Sequence, residues 1–125
     1  MSEKIRILVV DDDASVRQVI CENLEDFGYK VAGAMNGEHG MHVMEAENPP
    51  HVVITDIIMP YKGGLEMILE IRKKYPSVKI IAISGGGGNK TMDFLDLAKK
   101  IGADAVIAKP IDMDMLEKTV KNLAG

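Results

Sequence analysis

The sequence contains no tryptophan, two phenylalanines and three tyrosines, so aromatic residues make up only 4% of it. Aliphatic side chains and the nine methionines must fill any interior. A single cysteine, Cys21, excludes an intramolecular disulfide and suits a reducing, cytoplasmic compartment. It falls within an apolar-periodic helical stretch, where it reads as a small buried hydrophobe. No apolar run approaches the roughly 18 residues that a membrane span requires. Met1-Ser2-Glu3-Lys4 carries no apolar signal core. Positive charge is not in excess either. Fifteen Lys and Arg stand against nineteen Asp and Glu, a net charge of −4. A nucleic-acid-binding surface needs a basic patch to neutralise phosphates, so that function class is disfavoured.

What remains fits one compact domain spanning 1–125. Hydrophobic residues make up 46% and charged residues 27%, enough apolar material for one core. Five short, β-branched, nearly continuous apolar runs occur at 5–10, 30–34, 51–55, 79–83 and 105–108. Strands covered on both faces of a parallel sheet have this composition. Helical periodicity lies between them. Val16, Val19, Ile20, Leu24 and Phe27 share a face, with Gly28 as a stop. Met41 and Met44 mark a second helix, entered at Asn36-Gly37 and ended by Asn48-Pro49-Pro50. Leu65, Ile68 and Leu69 mark a third, closed by Pro76. Phe94, Leu97, Ala98 and Ile101 mark a fourth, closed by Gly102. Met113, Leu116, Val120 and Leu123 mark a fifth, capped by Asp112. Strict βα alternation predicts a parallel sheet with helices on both faces. After the fifth helix no residues remain for an output domain.

Ligands of open parallel sheets bind beyond the carboxyl ends of the strands. Strand one ends in Asp11-Asp12-Asp13 and strand three in Asp56, followed by Met59-Pro60. Strand four ends in Ser84, followed by Gly85-Gly86-Gly87-Gly88, and strand five in Lys109-Pro110. Converging carboxylates repel one another unless a cation intervenes. Oxygen-only ligands favour a hard ion such as Mg²⁺. Lys109 adds a mobile positive charge and Ser84 a hydroxyl donor. Nucleophile, divalent ion and two donors are what phosphoryl transfer needs.

With these residues in view, the sequence resembles the receiver domains of bacterial response regulators, in particular single-domain, chemotaxis-regulator-like ones. The resemblance runs from Ile5 to Leu123. It is carried by Ile7-Leu8-Val9-Val10-Asp11-Asp12-Asp13, Val53-Ile54-Thr55-Asp56-Ile57-Ile58-Met59-Pro60, Ile83-Ser84 and Ala108-Lys109-Pro110. It implies a flavodoxin-like (βα)5 doubly wound sheet of strand order 2-1-3-4-5. It implies that Asp56 is the phosphoacceptor, supplied by a sensor histidine kinase or histidine phosphotransfer protein. Asp12 and Asp56 would ligate Mg²⁺ directly, Asp11 mainly through water, and the Ile58 carbonyl would complete the protein ligands. Lys109 would pair with the phosphoryl group and, before phosphorylation, with the carboxylates, and its bond to Pro110 would be cis. Ser84 would be the switch hydroxyl, and Asp13 has no site role. Such a chain is not an enzyme beyond its own phosphorylation and dephosphorylation. It would be cytoplasmic, a monomer or weak dimer, and would signal by docking to a downstream protein rather than to nucleic acid or membrane.

Three features depart from the family pattern. Val106 stands where many receivers carry Tyr or Phe, so no aromatic can rotate with Ser84. Four glycines follow Ser84, where the family often has Ala and then polar residues. Ile58 and Gly86, the variable positions near the phosphoryl group, offer no side chain to hold a hydrolytic water. An alternative is a haloacid-dehalogenase-like phosphatase with Asp11 as nucleophile, because Asp11-Asp12-Asp13-Ala14-Ser15-Val16 nearly fits that pattern. Its later acidic pair could only be Asp112 and Asp114, in the fifth helix. A receiver-like module that no longer takes phosphate should have lost one of Asp11, Asp12, Asp56, Ser84 or Lys109, and all are present. His39 and His42 lack partners for a metal site and read as a solvated face. His51 reads as structural, and Met41, Met44 and Met67 as core filler.

Overall fold

In the computed structural model the described residues are 4–57, 59, 63–85 and 89–125, with only the backbone described at 89–93. Five strands form, β1 (Arg6–Val10), β2 (Lys30–Ala34), β3 (Val52–Asp56), β4 (Lys79–Ser84) and β5 (Ala105–Ala108). They alternate with α1 (Ala14–Asp26), α2 (Gly37–Ala46), α3 (Gly64–Lys74), α4 (Asn89–Ile101) and α5 (Met113–Ala124). All pairings are parallel and the strand order is β2-β1-β3-β4-β5. The expected flavodoxin-like arrangement is therefore present, and the order reverses at β1, between β2 and β3.

Successive side chains of a strand point to opposite faces, and this splits the core in two. Leu8, Val10, Val53, Ile80 and Ala82 face α2, α3 and α4, where Met41, Met44, Met67, Ile68 and Ile71 pack against them. Ile7, Val9, Val52, Ile54, Ile81 and Ile83 face α1 and α5, against Ile20, Leu24, Leu116 and Val120. The three methionines act as core filler, as expected. Burying one such side chain contributes about 1.5–3 kcal/mol. The central strands β1, β3 and β4 are almost wholly buried, whereas the edge strands β2 and β5 are partly exposed.

Caps set the helix boundaries. The Asp13 carboxylate accepts from the Ser15 and Val16 amides and starts α1. Asn36 does the same for α2 through the His39 amide, and Asp112 for α5. Gly28 and Gly102 follow α1 and α4 with φ of 100° and 132°, in the left-handed region that favours glycine. His51 is structural, its Nδ1 accepting from the Arg6 amide at 3.0 Å. Cys21 is half-buried against the α1–α5 core.

Four expected core residues lie elsewhere. Val19 and Phe27 on α1, Leu69 on α3 and Leu97 on α4 are each 42–54% exposed. A helix lying on a sheet buries a narrow stripe, and these positions fall on its flanks. Phe27 is the C-cap of α1, where the helical face has already ended.

At the end of the sheet opposite the acidic strand ends, one arginine ties two connections together. Arg72 donates from Nε to the Gly102 carbonyl, from Nη1 to Pro76 and from Nη2 to Val78, at 2.6–2.9 Å. Nη2 also pairs with Asp104 Oδ2 at 2.7 Å, and that oxygen accepts from the Ile80 amide. The planar fork of five donors matches this set and an ammonium does not. Arg72→Ala is expected to lower unfolding free energy by about 2–4 kcal/mol, with Arg72→Lys recovering less than half. Urea denaturation with an unchanged slope checks this, and a loss below about 1 kcal/mol would contradict the bracing role.

Candidate functional site

The four acidic, hydroxyl and lysine positions meet where strand order reverses and at the neighbouring strand ends. Asp11 follows β1, its amide donating to the Ala34 carbonyl of β2 at 3.1 Å. Asp56 ends β3 opposite Ile83 of β4, and Ser84 comes one residue later, opposite Ala108 of β5. The Lys109 amide donates to the Ser84 carbonyl at 2.9 Å, continuing the ladder one step past the strands. The Lys109-Pro110 bond is cis, as expected.

Lys109 Nζ lies 3.0 Å from Asp56 Oδ2 and 3.3 Å from Asp11 Oδ2. Asp11 and Asp56 are 1% and 7% exposed, so these charges attract through a medium of low polarisability. Burial raises the Asp11 pKa, opposed by the hydrogen bond its Oδ1 accepts from the Asp13 amide. The Asp56 charge raises it further, and Lys109 lowers it. Burial works against the Lys109 charge, but its hydrogen bond to Asp56 and the attraction of Asp56 and then Asp11 outweigh it. The lysine pKa is thereby held above its ordinary value. Asp12 is exposed beside this pair.

Asp11, Asp12 and Asp56 each offer an oxygen within 4.8 Å of the others. It is the one such acidic, His or Cys group among the described residues. Carboxylate oxygens without nitrogen or sulfur suit a hard cation, so this donor set fits Mg²⁺. Ile58, expected to add a carbonyl, and Gly86 lie outside the described residues. Asp112 is engaged in capping α5, so it does not complete a second acidic pair. His39 and His42 are exposed, and His39 Nδ1 accepts from the Met35 amide. Val106 is half-buried against the α2–α4 face of the core.

Ser84 is fully buried, and its Oγ has no hydrogen-bond partner among the described residues. A hydroxyl in that condition is destabilising by about 1–3 kcal/mol.

Three supports were not legible from sequence. Arg17 Nη1 donates to the Asp11 carbonyl at 2.7 Å, holding the turn that carries the acidic pair. Its stem crosses Gly33 of β2, where a β-carbon would stand 3.2 Å from Arg17 Cδ. At Gly64 a β-carbon would overlap the Asp56 carbonyl oxygen, so α3 begins directly against the end of β3. The Lys109 stem lies against Gly85. An arginine at the second turn of α1 and a glycine opening α3 were the available signals.

A family model described as the response regulator receiver domain matches residues 7–121. The chain is 31% identical over 128 residues to a probable chemotaxis protein CheY of Rhizobium etli, covering 100% of this chain and 96% of that one. It is 40% identical over 111 residues to the CAI-1 autoinducer sensor kinase/phosphatase CqsS of Vibrio cholerae, covering 89% of this chain and 16% of that one. It spans about half the length of other curated relatives, 48% of the probable transcriptional regulators ycf27 of Porphyridium aerugineum, Pyropia yezoensis and Porphyra purpurea. The crystal structure of a response regulator receiver domain protein from Clostridium thermocellum superposes with a TM-score of 0.88. It is 32% identical, and 96% of this chain and 94% of that one are covered. The haloacid-dehalogenase alternative gains no support from these matches.

Removing the Ser84 hydroxyl should relieve its desolvation. Ser84→Ala is expected to leave the unphosphorylated protein as stable as the parent, or more stable by up to about 1–2 kcal/mol. Chemical denaturation measures this, and a loss above about 1 kcal/mol would mean that the hydroxyl has a partner.

Proposed function

Because this chain belongs to the response regulator receiver domain family, whose members are signalling phosphoacceptors of two-component systems, we propose that Asp56 is its phosphoacceptor. The donor is the phosphohistidine of a sensor histidine kinase or histidine phosphotransfer protein. The observation that carries this is the ion triad of Lys109 with Asp56 and Asp11, at 3.0 and 3.3 Å, at the carboxyl ends of the sheet. One Asp56 carboxylate oxygen attacks phosphorus as the N–P bond of the donor breaks, and the imidazole leaves. Lys109 then has a phosphoryl oxygen to pair with in place of the bare carboxylate. The Ser84 hydroxyl, which has no hydrogen-bond partner among the described residues, gains an acceptor, so phosphorylation offsets the cost of burying it. Val106 packs in the core rather than turning with Ser84, so the change passes through the backbone around β4 and β5.

Asp11, Asp12 and Asp56 would hold Mg²⁺. When bound, it supplies charge neutralisation for the transferring oxygens. An apolar groove of about 340 Å³ adjoins Lys109, lined by Val16, Val19, Ile20, Ile111 and Met113. It supports docking of a partner protein beside the phosphoacceptor, and the exposed Val19 is part of its lining. No described helix is long and apolar enough to cross a membrane.

Incubation of the protein with MgCl₂ and acetyl phosphate, followed by intact mass, is expected to show one added phosphoryl group. Asp56→Asn abolishes the gain, whereas labelling that persists in Asp56→Asn and is lost in Asp11→Asn would replace Asp56 as nucleophile. Millimolar Mg²⁺ should raise the Tm by mass action, by about 2.7 kcal/mol of stability at a hundredfold excess over Kd. Asp12→Ala should remove most of that rise, and a Tm indifferent to Mg²⁺ in the parent would rule out the metal site.

A further inference from the structure

Asp12 is the exposed member of the acidic cluster, and among the described residues its carboxylate has no hydrogen bond or ion pair. Its placement therefore rests on the backbone. The peptide groups on either side of Asp12 are both gripped. The Asp13 amide donates to Asp11 Oδ1 at 2.9 Å, and the Asp11 carbonyl accepts from Arg17 Nη1 at 2.7 Å. The Arg17 amide donates to the Asp13 carbonyl at 2.9 Å, the first bond of α1. Residues 11, 13 and 17 thus close a ring of hydrogen bonds around Asp12. The Arg17 side chain reaches its carbonyl by crossing from α1 over Gly33 of β2 to the end of β1. It is the one link that can be removed without touching a carboxylate or the helix backbone.

We propose that Arg17 is a positioning residue for the metal site. Its hydrogen bond to the Asp11 carbonyl fixes the peptide plane between Asp11 and Asp12, and so holds the Asp12 carboxylate beside Asp11 and Asp56. This deepens the phosphoacceptor reading above and rests on it for the identity of the cation.

Charge and position pull the metal affinity in opposite directions. A guanidinium at the edge of the acidic cluster repels Mg²⁺, so its removal, acting through charge alone, would tighten binding. Loss of the hydrogen bond frees the Asp11–Asp12 peptide to turn. The carboxylate must then be ordered when the ion binds, which weakens binding. Partners that orient a metal ligand are worth about 10- to 100-fold in affinity, more than one solvent-screened charge contributes. Position therefore wins, and Arg17→Met weakens Mg²⁺ binding although it removes a positive charge. The transfer step itself is untouched, because Lys109 reaches Asp56 and Asp11 without Arg17.

The test uses the full chain, well below its unfolding transition. Calorimetric titration with MgCl₂ gives the metal Kd. Intact mass after incubation with acetyl phosphate, across a range of Mg²⁺, gives the half-saturating concentration and the maximal uptake rate. Arg17→Met is expected to raise the Kd and the half-saturating concentration by about tenfold and to leave the maximal rate within about twofold of the parent. Arg72→Ala loosens the opposite end of the sheet and should move the Kd by less than about twofold. An equal or lower Kd in Arg17→Met overturns the proposal. So does a rise of the same size in Arg72→Ala, which would make any loosening of the fold sufficient, or a maximal rate that falls while the Kd holds. If Arg17→Met folds poorly, Arg17→Gln takes its place with the same expected outcomes, being a good helix former whose amide is too short for the carbonyl. A parent that binds Mg²⁺ but takes up no phosphoryl group sinks the phosphoacceptor reading, and the titration still judges Arg17. A parent that binds no Mg²⁺ overturns both.

Discussion

The structure depends on how three carboxylates are held together at one end of a parallel sheet. Asp11, Asp12 and Asp56 are brought within a few ångströms by strand order alone, and like charges at that range repel. The ammonium of Lys109 is the internal answer, placed against the two buried carboxylates while Asp12 stays in contact with solvent. Everything nearby keeps that charge balance in register. Arg17 pins the Asp11 carbonyl, Asp13 both caps α1 and donates to Asp11, and Gly64 lets α3 start against β3. Among the described residues the Ser84 hydroxyl, at the same end of the sheet, is buried without a hydrogen-bond partner.

The two ends of the sheet are built on opposite principles. At the Arg72 end, carbonyls from the connections around α3–β4 and α4–β5 converge on one guanidinium, and Asp104 closes the network by accepting from both Arg72 and Ile80. At the Asp56 end, carboxylates and an ammonium are brought together as a cluster of charges. A satisfied network makes its end of the fold rigid and the charged one can be re-equilibrated by an added charge.

Much of this was legible in the sequence. Valine and isoleucine runs fixed the five strands to within a residue or so, because a doubly covered strand leaves little choice but continuous aliphatic composition. Asp11, Asp12, Asp56, Ser84 and Lys109 were legible because the ends of parallel strands must lie together. The helix faces were less so. Periodicity marks a stripe wider than a flat sheet can cover, which is why Val19, Leu69 and Leu97 are exposed. Arg17, Gly64 and Gly85 were hidden for another reason. Each matters through a contact with a residue from a different strand or helix, and no local pattern encodes that distance.

The Arg72 network also bears on where the chain can be cut. Its guanidinium joins carbonyls from two connections, at Pro76 and Val78 on one side and Gly102 on the other. Neither loop is an independent surface turn, although both are short and at the surface like those usually chosen for permutation. Opening the backbone at either would strand donors of the same arginine and loosen the other loop. New termini, inserted reporters or split halves avoid that loss only where they leave both of these connections unbroken.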